Sequence, residues 1–121
     1  MTKVIIIAAG KGSRLGSLTE NIPKTLLKIN DKSMLDHQID IYNKFGLSDI
    51  NIIVGYKNHK FKNRCETIIH NKEYENNNIL ESLFCADKII EGDCIISYSD
   101  IIFKSGVVKK LSKDAHPITI V

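Results

Sequence analysis

Apolar positions along the chain alternate between unbroken runs and repeats spaced three to four residues apart. Lys3 to Ala9 becomes a continuous apolar run after its first residue, β-branched over Val4 to Ile7, the pattern of a parallel strand buried on both faces. Gly10 to Gly16 is small and polar and reads as loop. Thr25 to Ile29 reads as a short extended piece closed by the turn residues Asn30-Asp31. Ser33, with Asp36 three places on, makes a capping-box-like helix start. Leu35, Ile39, Tyr42 and Phe45 follow at helical spacing, and Gly46 suits the stop. Asp49 to Val54 predicts the next strand, ended by Gly55-Tyr56-Lys57.

The second half continues the alternation. Asn58 to Cys65 reads as a short polar helix, Thr67 to Ile69 as a short strand, and the Asn-rich Asn71 to Asn78 as loop. Ile79 to Ile90 predicts a helix with Ile79, Leu83, Phe84 and Ile90 on one face. After the turn Gly92-Asp93, Cys94 to Tyr98 predicts a strand ending at Ser99-Asp100. Ser105 to Lys113 predicts a helix and Pro117 to Val121 a strand. Such alternation means right-handed βαβ crossovers. The expected fold is α/β, a mainly parallel, Rossmann-like doubly wound sheet with helices on both faces. A chain of 121 residues holds one domain at most, and no repeat, low-complexity tract or linker interrupts it.

Composition removes several classes. Lys and Arg number 17 against 14 Asp and Glu, a net charge of +3 that suits anionic ligands but is no nucleic-acid footprint. No apolar run approaches the ~18 residues of a membrane span. The start lacks a signal peptide's basic region and cleavage site. A cytoplasmic enzyme is expected, with no nucleic acid or membrane as partner. Cys65, Cys85 and Cys94 share no metal-ligand spacing and read as reduced, mostly buried thiols. His37, His59, His70 and His116 form no ligand pair, which argues against zinc.

The candidate chemistry lies where the first strand ends. Ala8-Ala9-Gly10-Lys11-Gly12-Ser13-Arg14-Leu15, followed by Pro23-Lys24, breaks an apolar run into glycines and cations, a loop whose backbone amides face phosphate. The P-loop spacing G-x-x-x-x-G-K-[ST] is absent. The dinucleotide fingerprint G-x-G-x-x-G fails, because Leu15 stands at the third glycine and Gly16 comes one place late. The pattern resembles the nucleotidyltransferases that load phosphorylated acceptors onto NTPs. Asn71-x-x-Tyr74, Asn77-Asn78 and Glu81-Ser82-Leu83 are similar to the acceptor loop of the phosphocholine and phosphonate cytidylyltransferase branch. Ile96-Ser97-Tyr98-Ser99-Asp100-Ile101-Ile102-Phe103 resembles that branch's S-Y-G-D-I-x-F, with Ser99 in place of glycine.

The resemblance implies the N-terminal part of a GT-A-like nucleotidyltransferase domain. It implies transfer of CMP from CTP to a phosphocholine- or aminoethylphosphonate-like acceptor, with release of pyrophosphate. A phosphate monoester with a second pKa of about 6 is already ionised at neutral pH, so no general base is needed. Positioning and cationic stabilisation then carry the reaction. Ala8, Ala9, Gly10, Lys11, Gly12, Ser13 and Arg14 would hold the triphosphate, Arg14 on its outer phosphates. Lys24 would stand at the α-phosphate; it and Arg14 are the expected catalytic residues. Gly55 and Tyr56 would lie beside the nucleobase, Tyr56 as a half-buried packing aromatic being the alternative. Tyr74, Asn78 and Ser82 would shape the acceptor pocket, unless Asn78 and Ser82 only start the following helix. Asp100 would bind Mg²⁺, the expected cofactor.

The family's enzymes are longer, so residues 1–121 read as a C-terminally truncated part, or one needing a partner or a homo-oligomer. Sugar-1-phosphate transfer with UTP or dTTP is the alternative within the class. A non-catalytic nucleotide-binding fragment and a dinucleotide-binding domain are the alternatives outside it.

Overall fold

The computed structural model describes residues 2–65 and 67–121. In chain order the elements are β1 (Lys3–Ala8), β2 (Lys28–Ile29), β3 (Lys32–Ser33), α1 (Met34–Lys44), β4 (Ile50–Val54), β5 (Thr67–His70), α2 (Ile79–Phe84), β6 (Cys94–Tyr98) and α3 (Ser105–Lys113). A parallel sheet orders its strands β5-β4-β1-β6. β1 sits inside it, pairing Val4 with Ile50 of β4 and with Ile95 of β6.

The continuity of the first apolar run follows from cover on both faces. Val4, Ile6 and Ala8 join one core with Leu35 and Tyr42 of α1 and Val108 of α3. Ile5, Ile7 and Ala9 join a second core with Ala86, Leu83 and Ile89 on the other face. Helices therefore cover both sides, as the doubly wound reading requires. A two-residue turn, Asn30-Asp31, joins β2 to β3, and both residues take the left-handed backbone that tight hairpins need. α1 begins where expected: the Asp36 amide donates to Ser33 Oγ at 3.0 Å.

Several elements depart from the sequence reading. Thr25 to Ile29 is not one extended piece, because Lys24–Leu26 forms a 3₁₀ turn before the two-residue β2. The first glycine loop runs on into 3₁₀ backbone over Ser13–Thr19. Asn58–Phe61 is a 3₁₀ turn rather than a helix reaching Cys65. The helix expected over Ile79 to Ile90 stops at Phe84, and Asp87–Ile89 follows as 3₁₀. The reason lies in the second core, which takes Leu83, Ala86 and Ile89 at a spacing of three, the 3₁₀ repeat. Ile79, Phe84 and Ile90 are exposed instead. Pro117 to Val121 is no strand: Ile118, Ile120 and Val121 are exposed, without ladder hydrogen bonds to a neighbour.

The thiols are also less hidden than expected. Cys85 is exposed and Cys65 and Cys94 are half-buried. Burial, and then the charge of Asp36, pushes the Cys65 thiol up to about 11. At pH 8 that leaves a thiolate fraction on the order of a thousandth at Cys65. Iodoacetamide at pH 8 is expected to alkylate Cys85 well before Cys65, read by peptide mass mapping. Equal rates at the two sites would contradict this burial.

Candidate active site

The chain runs outward from β1 to β4 and β5, then returns to β6 on the far side of β1. The order reverses between β1 and β6, and open parallel sheets bind ligands at the carboxyl ends of the strands there. A cleft of about 220 Å³ opens at that point. Ala8, Ala9 and Gly10 reach it from β1, and Tyr98, Ser99 and Asp100 from β6. Lys24 and Thr25 close one side, and Tyr74, Asn78 and Ser82 the other.

Lys24 and Asp100, 76 residues apart in sequence, meet here: Lys24 Nζ donates to Asp100 Oδ2 at 2.8 Å. The Lys24 hydrogen bond, with the Lys24 and Arg14 charges behind it, holds the Asp100 carboxyl below its ordinary 3.8. The carboxylate is thus ionised at neutral pH. The stability its pairing adds is present above the ordinary value and lost as pH falls through the depressed one. Thr25, buried next to Lys24, donates from Oγ1 to the Ser99 carbonyl at 2.9 Å and ties the two segments together. Ser99 is not among the left-handed residues, so serine occupies this glycine-like position without backbone strain.

The glycines of the first loop differ in what requires them. Gly12 has φ of +66°, and a Cβ there would stand 3.1 Å from the Lys24 Cβ. It lets the Lys24 segment pack against the loop, and Thr19, buried, donates to its carbonyl at 3.0 Å. At Gly10 a Cβ would meet nothing within 4 Å. No packing within the protein demands glycine there, so the bare backbone faces open cleft.

Other predicted residues stand around the cleft without lining it: Lys11, Gly12, Ser13, Arg14, Gly55 and Tyr56. Lys11, Ser13 and Arg14 are exposed on the loop. Tyr56 is buried, and its hydroxyl lies 2.8 Å from the carbonyls of both Thr19 and Glu20. It braces the loop from beneath, with its ring edge-on to Tyr74 and the ammonium groups of Lys11 and Lys57 within 6 Å of it. Asn78 caps α2 in a full capping box with Glu81. Ser82 is buried, and its Oγ accepts from Asn71 Nδ2 at 2.8 Å.

Polar residues hold this site, Asn71 and Asn77 of the acceptor-loop motif among them. Asn71 is buried and exchanges amide hydrogen bonds with Asn77 at 3.0 and 3.1 Å. Together they shape the loop carrying Tyr74. Thr19, Thr25 and Gln38, also buried, belong to no motif of the sequence. Gln38 had a readable signal, since it falls with Leu35 and Tyr42 on the buried stripe of α1.

A divalent cation fits the donor set in one way. Among the described residues no cluster of three or more His, Cys, Asp or Glu could cage an ion. One carboxylate, Asp100, at the cleft suits Mg²⁺, which takes few protein ligands and fills its shell with phosphate oxygens and water. No helix among those residues is long and apolar enough to cross a membrane.

Comparison with known proteins agrees with the fold. The family model for the MobA-like NTP transferase domain matches residues 4–120. The CTP:phosphoglutamine cytidylyltransferase of Campylobacter jejuni is 35% identical, over 97% of this chain and 51% of its own length. The 2-aminoethylphosphonate cytidylyltransferase of Lancefieldella rimae is 30% identical, over 84% of this chain and 44% of its own. A solved structure of the CTP:phosphocholine cytidylyltransferase from Streptococcus pneumoniae superposes with a TM-score of 0.75 at 35% identity. That match covers 82% of this chain and 45% of the other. The chain spans about half the length of these relatives.

Proposed function

The chain belongs to the MobA-like NTP transferase family, and from that premise we propose that it forms the nucleotide-binding part of a cytidylyltransferase. The reaction is transfer of CMP from CTP to a small phosphorylated or phosphonate acceptor. Phosphocholine, phosphoglutamine and aminoethylphosphonate are the acceptor types that the relatives' names support. The observation that carries the reading is the cleft at the reversal point, with Lys24 paired to Asp100 beside a Gly10 that nothing in the protein crowds.

An acceptor oxygen attacks the α-phosphorus, the bond to the bridging oxygen breaks, and pyrophosphate leaves with the charge. Lys24 neutralises negative charge developing at the α-phosphate, and Arg14 faces the outer phosphates with its planar fork. The amides of the loop from Ala8 to Ser13 hold the triphosphate. Gly55 and Tyr56 act through the shape of the base-side wall. Tyr74, Asn78 and Ser82 border the acceptor. Asp100 is the carboxylate that would hold Mg²⁺, which supplies charge neutralisation on the triphosphate.

Gly10→Ala tests this reading against a purely structural loop. Because nothing in the protein crowds the position, stability is expected to stay within about 1 kcal/mol. Calorimetric titration with CTP and Mg²⁺ is expected to show affinity for the unchanged chain and a loss of about tenfold or more in the variant, an anion subsite worth about 1.4 kcal/mol. UTP, dTTP and NAD serve as comparators, and pyrophosphate release with each acceptor reads the transfer. Equal affinity in both proteins, or a preference for NAD, would reject the proposal.

A further inference from the structure

A glutamine inside a core is costly unless its polar atoms are all bonded. Gln38, on the inner stripe of α1, is 1% exposed. Its Nε2 donates to the Tyr98 carbonyl at 2.9 Å and to the Ile101 carbonyl at 2.7 Å. Its Oε1 accepts from Ser97 Oγ at 3.2 Å. These partners all belong to one short segment, the end of β6 and the loop leaving it.

The two carbonyls bracket Asp100. The chain leaves the sheet at Tyr98, turns through Ser99 and Asp100, and comes back to α1 at Ile101. Both hydrogens of a single amide are used on the two sides of that turn. From the opposite side Thr25 holds the Ser99 carbonyl, one residue from Lys24. Two buried side chains from different elements thus grip the loop and leave its one carboxylate projecting toward Lys24. Gln38 itself does not line the cleft.

We infer that Gln38 is a positioning residue: it fixes the Tyr98–Ile101 turn so that the Asp100 carboxylate is presented to Lys24 and, on the functional reading above, to the metal on the triphosphate. An apolar residue of the same size would fill the core equally well. It would take the Gln38 donor from the Ile101 carbonyl and leave the Tyr98 carbonyl only the Ser97 hydroxyl, 3.1 Å away, so the turn would be free to shift. Partners that orient a ligating group from behind typically change metal affinity by about 10–100-fold when removed.

Gln38→Met keeps the length of the side chain and removes all three hydrogen bonds. Ser97→Ala removes the bond to Gln38 Oε1, and with it the Ser97 hydroxyl's bond to the Tyr98 carbonyl, with little change in volume, and carries the same test should Gln38→Met fail to fold. CTP affinity is measured by calorimetry with and without Mn²⁺ on the unchanged chain and both variants. The gain in CTP affinity on adding Mn²⁺ is expected to fall about tenfold in Gln38→Met, with metal-free CTP affinity moving less than about twofold and Ser97→Ala falling between. Amide resonances of Ser99, Asp100, Ile101 and Lys24 are expected to shift in both variants without any ligand. An Mn²⁺ gain and loop resonances that stay at their unchanged values in a folded Gln38→Met would overturn the inference. Should the unchanged chain gain nothing from Mn²⁺, the metal reading of Asp100 falls, and the resonances alone decide the role of Gln38.

Discussion

Gly55→Ala is expected to cost about 3 kcal/mol of stability, at the upper end for overpacking a filled site. A Cβ at Gly55 would stand 2.6 Å from the Tyr74 Cβ, 2.7 Å from its Cγ and 2.8 Å from the Ala9 carbonyl oxygen. None of these is the far end of a flexible side chain. The Ala9 carbonyl is tied down because it accepts from the Tyr56 amide at 2.9 Å. The added methyl must therefore push apart the segment at the end of β1 and the loop bearing Tyr74. Urea unfolding measures the loss, and CTP affinity in the residual folded protein is expected to fall as well. A variant with an unchanged unfolding midpoint would mean that the two loops do not pack as described. Gly10→Ala is the matched control, since the same methyl there meets open space.

On the proposed function, Lys24→Ala is expected to slow nucleotidyl transfer by about 10²–10³-fold, the loss usual for removing one group that stabilises transition-state charge. Stability is expected to change by less than about 1 kcal/mol, because the Lys24–Asp100 pair is partly open to solvent, with side chains 27% and 45% exposed. The split between the two effects is the useful signal. Pyrophosphate release at saturating CTP reads the first, and the urea midpoint the second. A large stability loss with proportionate activity loss would make Lys24 a structural residue. Unchanged transfer would remove it from the chemistry.

The parts of the fold that were legible in the sequence are those fixed by local rules. β1 was legible because a strand covered on both faces has no polar side to show. The start of α1 was legible because Ser33 and Asp36 satisfy the first amides whatever surrounds them. Ser105–Lys113 matches its expected bounds. The end of α2 was not legible, because tertiary packing of Leu83, Ala86 and Ile89 chose a spacing of three over the helical one. Nor was the exposure of Pro117 to Val121: β-branched composition predicts a strand, but a strand forms only where a neighbour pairs with it.

The candidate site divides in the same way. Gly10, Gly12, Arg14, Pro23 and Lys24 could be picked out in sequence because phosphate recognition demands glycine and cation at short, regular spacing. Asp100 could be picked out from the SYSDIIF segment, but not its partnership with Lys24, which requires two stretches 76 residues apart to meet. Gln38, Thr25 and Thr19 look like ordinary polar residues along the chain. Burial makes each of them a clamp, since an amide or hydroxyl removed from water must find a protein partner. By itself, then, the sequence determined the strand order's raw material, the α/β class and the glycine-and-cation loop that follows β1, because these depend on local patterning. The tertiary structure alone decided which carboxylate meets which cation and which buried amides hold them there, because those outcomes depend on which carbonyls the folded sheet leaves within reach.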